Sequence, residues 1–135
     1  MKYILLYIAT LIVFFLIDLV WLGVISKSLY KNEIGHLMAD QAKIIPALVF
    51  YLLYVIALLI LAVIPGLKES TFIKTLLFSS LLGFISYGTY DLTNFATLKD
   101  WPVMIVFIDM AWGTFLTASV GSLSYVVGIL LKINV

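Results

Sequence analysis

Four apolar runs divide this chain, and they restrict what it can fold into more than any other feature. They extend from about Tyr3 to Ile25, Ile44 to Ile64, Phe72 to Tyr90 and Pro102 to Leu131. Each meets the length of about 20 residues that an apolar helix needs to cross the hydrocarbon of a bilayer. Lipid offers no hydrogen bonds, so a spanning segment must satisfy its own N–H and C=O groups, as a helix does. The charge content agrees: 11% of residues are charged, against about 25% in soluble domains. The expected class is therefore all-α. A polytopic membrane protein with four transmembrane helices forms one domain over residues 1–135.

The first run follows Lys2 like the apolar segment of a signal peptide, but it is too long for one. No small-x-small cleavage site follows it, so the run reads as a retained helix. Pro65-Gly66 is expected to end the second span in a tight turn. Pro102 suits the first turn of the fourth helix, where its missing N–H costs nothing. The fourth run exceeds the bilayer thickness and should tilt or project. Between the first two spans, Tyr30, Ile34, Leu37 and Met38 fall at helical spacing, opposite Lys31, Asn32, Glu33 and Asp40. That pattern fits a short amphipathic helix lying on the membrane surface, although Gly35 weakens it and an irregular polar loop is the alternative.

The charges exclude several classes. There are eight basic residues, all lysine, and the net charge is +1. Nucleic acid is not an expected partner, because it calls for dense basic patches and arginine forks. The absence of cysteine removes thiol redox chemistry, Cys-based zinc sites and lipoprotein acylation. His36 is the one histidine, which rules out a His-rich metal site. No metal site is expected, and nothing names a cofactor. Lys2, Lys68, Lys74 and Lys132 fall on the side holding both termini, here the near side. Lys27, Lys31, Lys43 and Lys99 fall on the far side, so the positive-inside rule ties. Cytoplasmic termini are the expectation adopted.

The polar residues inside the spans converge. Asp18 lies about 22 Å along the first helix, roughly 8 Å short of the far boundary. Asp109 enters from the far side and lies about 10 Å deep. Tyr87, Tyr90, Asp91 and Asn94 share a face at the far end of the third helix, and Tyr51 and Tyr54 enter from the second. Each intramembrane aspartate is followed three residues later by tryptophan, Trp21 and Trp112, and then by a glycine, Gly23 or Gly113. A carboxylate in hydrocarbon costs about 2.5–3.5 kcal/mol on insertion scales, so it should face the interior and mark a functional site. Lys99 is the one lysine in reach, by snorkelling from its loop. Two close carboxylates in low dielectric do not both ionise, which suits a proton or a cation. Asp18 and Asp109 are expected to face one shared cavity. Asp91 and Asn94 admit a plainer role as helix caps, Trp21 and Trp112 one as interfacial anchors. Anchoring is the expectation for Trp101. Gly113, Thr117, Gly121, Ser124 and Gly128, with Ser79, Ser80 and Gly83, should let the third and fourth helices pack tightly.

Tyr90-Asp-Leu-Thr-Asn94, Ala96-Thr-Leu98, Trp101-Pro102 and Asp109-x-x-Trp112-Gly113 form a long pattern. With Asp18-x-x-Trp21, Pro46 and Tyr51, it resembles a family of small bacterial integral membrane proteins with four helices and a domain of unknown function. The resemblance covers nearly the whole chain, and one departure is Asp100, where it implies glycine. It implies a bacterial inner membrane location. It brings no reaction or ligand, beyond some relatives being encoded near lipid-modifying enzymes. The leading functional expectation is a protein that binds or translocates a proton, cation or small amphiphile. Its site residues would be Asp18, Trp21, Tyr87, Tyr90, Asp91, Asn94, Asp109 and Trp112. A transporter of four helices would work as a homodimer among membrane lipids. A lipid-acting enzyme, or an accessory to lipid-modifying enzymes, ranks second, with Asp91 or Asp109 as acid or base or as a metal ligand with Asn94. An assembly factor ranks third.

Overall fold

The structure, a computed structural model, describes residues 1–133. The first run becomes α1, Lys2–Ile25. Leu6, Thr10, Phe14 and Asp18 are its buried residues, one every four positions, so a single stripe faces the protein. Ile4, Ile8, Ile12, Leu16 and Leu19 remain exposed on the lipid side. The last turn, Trp21–Ile25, is π-helical. Ser26 closes it by donating its backbone N–H (2.8 Å) and its hydroxyl (2.9 Å) to the Trp21 carbonyl.

Helix α2, Lys27–Ile34, is the amphipathic segment. Its half-buried Leu29, Tyr30 and Ile34 pack, together with Met110, against Trp101, Ile105 and Val106. The apolar stripe is thus spent on protein contact. Leu37 and Met38 do not extend that stripe, because the α-helix stops at Ile34 and gives way to a 3-10 turn, Gly35–Leu37. Both of these side chains are exposed.

Helix α3 spans Ile44–Lys68 and carries a second π turn, Leu59–Val63. The turn expected at Pro65-Gly66 is not there; the helix continues to Lys68. The reason is local. Pro65 occupies the first turn of the segment that resumes after the π turn, where a missing N–H is tolerated. Gly66 is fixed by packing: a Cβ there would lie 1.9 Å from the Thr75 hydroxyl oxygen. The chain reverses later, through Ser70 at φ 52°.

Helix α4 is Phe72–Thr97 and α5 is Val103–Leu130. Helix α4 outlasts the expected end near Tyr90. The Thr89 and Thr97 hydroxyls donate to the Ile85 and Thr93 carbonyls, each at 2.7 Å, so the polar side chains of this extension are satisfied within the helix. The buried positions of α4 form a small-residue stripe, Thr75, Ser79, Gly83, Gly88 and Asp91. That stripe meets α5 closely, as expected from the sequence. A Cβ on Gly83 would lie 2.2 Å from the Gly113 carbonyl oxygen. A Cβ on Gly121 would lie 2.0 Å from the Ser79 hydroxyl oxygen.

Helix α5 is the centre of the bundle. Thr10 of α1 donates to Ser124 at 2.9 Å, and Ser124 donates to the Val120 carbonyl at 2.7 Å. Tyr54 of α3 shares a hydrogen bond with Thr117 at 2.8 Å. At the near side the Lys2 ammonium donates to the Lys132 carbonyl at 2.7 Å, which places the two ends of the described chain together.

Candidate functional site

The far end of the bundle holds the polar layer. The Tyr51 hydroxyl of α3 donates to Asp18 Oδ2 at 2.5 Å, and the Trp112 indole N–H of α5 donates to Asp18 Oδ1 at 3.4 Å. Trp112 lies flat on Trp21, with ring centroids 4.3 Å apart and planes within 7°. The Trp21 N–H donates to the Tyr30 hydroxyl at 3.1 Å, and that hydroxyl donates to Asp109 Oδ1 at 2.5 Å. The result is one connected assembly: Tyr51, Asp18, Trp112, Trp21, Tyr30, Asp109. Each aspartate is served by the other motif's tryptophan, directly at Asp18 and through Tyr30 at Asp109. The i, i+3 neighbours within each helix do not pair with each other.

This arrangement differs from a cavity shared by the two acids. Each carboxylate has its own tyrosine, and the tryptophan pair lies in the path between them. Asp109 lines two cavities. One, of about 300 Å³, is bounded by Phe50, Ser86, Tyr87 and Tyr90. The other, of about 320 Å³, lies beneath α2 and is bounded by Tyr30, Ile34, Met38 and Tyr90. Asp18 lines neither. Tyr30 lies outside the spans; burial, and then the bond to the Asp109 carboxylate, push its hydroxyl well above the usual tyrosine range. It therefore keeps its proton and acts as a donor.

Other site residues fall in three places. Tyr87 is half-buried, with its ring against Gly113. Tyr90 is exposed and meets Trp101 edge to face at 5.8 Å. Asn94 is half-buried and makes none of the hydrogen bonds just described. Asp91 is not a helix cap. It lies within α4, 0% exposed, and the side-chain donor in its reach is the indole N–H of Trp101. Trp101, expected to anchor at the interface, is buried, and neither its N–H nor the Asp91 carboxylate has another hydrogen-bond partner. Lys99 is exposed, and among the described residues the one ion pair is Lys74–Glu69. No lysine neutralises Asp18, Asp91 or Asp109. Among the described residues no group of three His, Cys, Asp or Glu side chains is placed to hold a metal ion.

Tyr30 is the residue that the sequence pattern did not single out for the site. Its one signal was chemical: an aromatic ring with a polar tip, which needs a partner once buried. Tyr51 was placed at the right depth by helical rise alone, without its partner.

No curated protein and no solved structure matches the chain. A family model described as a predicted membrane protein, DUF2177, matches residues 3–126. The match takes in the first span, the polar layer and most of α5, so the chain belongs to this family of membrane proteins of unknown function.

Proposed function

We propose that the protein is a membrane-embedded binding protein whose far-side site takes a cationic group, carried by a small amphiphile or present as a bare cation. One observation carries the reading. Asp109 borders two cavities with one oxygen held by Tyr30, and no lysine pairs with it among the described residues. A cation entering the first cavity would also meet the faces of Phe50, Tyr87 and Tyr90, which attract positive charge through their ring quadrupoles. Charge-assisted contacts to a carboxylate are worth about 1.5–3 kcal/mol, so loss of the charge should weaken binding by about 10-fold or more.

The test uses the protein in phosphatidylcholine nanodiscs, titrated with a long-chain alkyltrimethylammonium and with the alcohol of the same chain length. The intact protein should bind the ammonium compound and discriminate against the alcohol. Asp109→Asn should lose that discrimination, and Asp18→Asn should lose less of it. If both variants keep the cation preference and every proton-linked signal of the parent protein, the reading is wrong.

A further inference from the structure

A larger cavity than either of these lies at the other end of the molecule, where the far-side chemistry plays no part. It has a volume of about 620 Å³ and is bounded by Leu67, Lys68, Ser70, Tyr125, Ile129, Lys132 and Ile133. Two helix ends build it. Helix α3 runs past Pro65 and so carries Lys68 to the rim. Helix α5 ends in a left-handed Lys132 at φ 51°, whose following residue folds back, with the Ile133 N–H bonded to the Gly128 carbonyl at 3.0 Å. That fold-back buries Ile133 and places it with Leu67 and Ile129 as an apolar floor.

The rim has a different character. Lys68 and Lys132 are both exposed and carry the charge, with Ser70 beside them. Glu69 is the one acidic neighbour in this turn, and Lys74 takes its charge. Helix C-termini carry partial negative charge that could by itself explain terminal lysines. Here part of that charge is already met: Lys2 bonds the Lys132 carbonyl, and the Thr71 N–H bonds the Gly66 carbonyl at 2.9 Å.

We infer that this near-side cavity is a binding site for the head group of an anionic phospholipid, with its phosphate at Lys68 and Lys132 and its glycerol end over the Leu67–Ile129–Ile133 floor. Basic pockets between the ends of membrane helices hold such head groups, and each lysine near an anionic surface contributes about fivefold in affinity. The apolar floor directs the choice to a lipid, since free phosphate has nothing to place on it.

The experiment compares retention of phosphatidylglycerol over phosphatidylcholine, by mass spectrometry of the intact protein released from mixed nanodiscs. Lys68→Gln and Lys132→Gln should each lower the preference about fivefold, and the double variant should lower it further. Lys68→Arg should retain it. Lys27→Gln with Lys31→Gln, on the far side, should leave it unchanged. Three results would overturn the proposal: an unaltered preference in the near-side double variant, an equal loss in the far-side one, or displacement of the lipid by millimolar inorganic phosphate. The last would assign the site to a soluble anion. All these variants change exposed side chains, and melting curves should confirm that they fold alike.

Discussion

Gly23 and Gly113 follow the two intramembrane tryptophans, yet their surroundings are opposite, and substituting each with alanine isolates the packing of the site. At Gly113 a Cβ would lie 2.2 Å from both Cδ2 and Cγ of Tyr87. Carbon atoms rest at about 3.5–4.0 Å, so the ring must retreat by more than about 1.3 Å. Forcing such a shift in a packed interior costs about 1–3 kcal/mol. At Gly23 nothing lies within 4 Å. Both variants share whatever helix propensity alanine adds, up to about 1 kcal/mol, and the difference between them removes it. Gly113→Ala should therefore be less stable than Gly23→Ala by about 1–3 kcal/mol, read from unfolding in mixed micelles as detergent denaturant is added. Tyr87 also bounds the cavity at Asp109, so the displaced ring should weaken cation binding in the same variant. Shortening the ring with Tyr87→Leu should recover much of the stability loss, giving a coupling of at least about 0.5 kcal/mol in a double-mutant cycle. Equal stability of the two alanine variants, or zero coupling, would refute the close contact of α4 and α5 at this level.

Two further outcomes follow from unusual residues. Asp91→Leu removes a buried carboxylate with no side-chain donor in reach but the Trp101 indole; if that contact is too weak to offset burial, the fold should gain about 1–3 kcal/mol, seen as a raised melting temperature in detergent, and a loss of stability would mean that the Asp91–Trp101 contact holds the helix end. Asp100 adopts φ 60° where the family resemblance implies glycine, so Asp100→Gly should stabilise by about 1 kcal/mol and Asp100→Val should do the opposite.

Helical periodicity and length made the four spans and the small-residue contact of α4 with α5 legible in the sequence. Depth arithmetic also put Asp18, Tyr51 and Asp109 in one layer. Spacing fixes the face a residue occupies, but it does not fix how far a long side chain reaches across to a neighbour. For that reason Trp21 and Trp112, adjacent to their own aspartates in sequence, end up serving the opposite ones. Tyr30 was hidden for a related cause: an apolar stripe on a short helix does not say whether lipid or protein will cover it. The burial of Asp91 depended on α4 continuing past Tyr90, whereas Asp91 and Asn94 at the end of the apolar run read equally well as helix caps. Pro65-Gly66 misled in the same way, since a π turn upstream absorbs the proline and tight packing, not chain reversal, accounts for the glycine.

The helix that receives bonds from α1 and α3 and close packing from α4 is the last of the four to leave the ribosome. Until it arrives, Tyr54 lacks its Thr117 partner, Ser79 and Gly83 of α4 lack their closest neighbours, and Asp18 has Tyr51 as its one hydrogen-bond donor. Insertion of the earlier spans therefore yields a loose, waiting intermediate, and the bundle closes only when α5 enters. Final assembly therefore waits on α5, and a truncation that removes it should leave three spans for membrane quality control to clear.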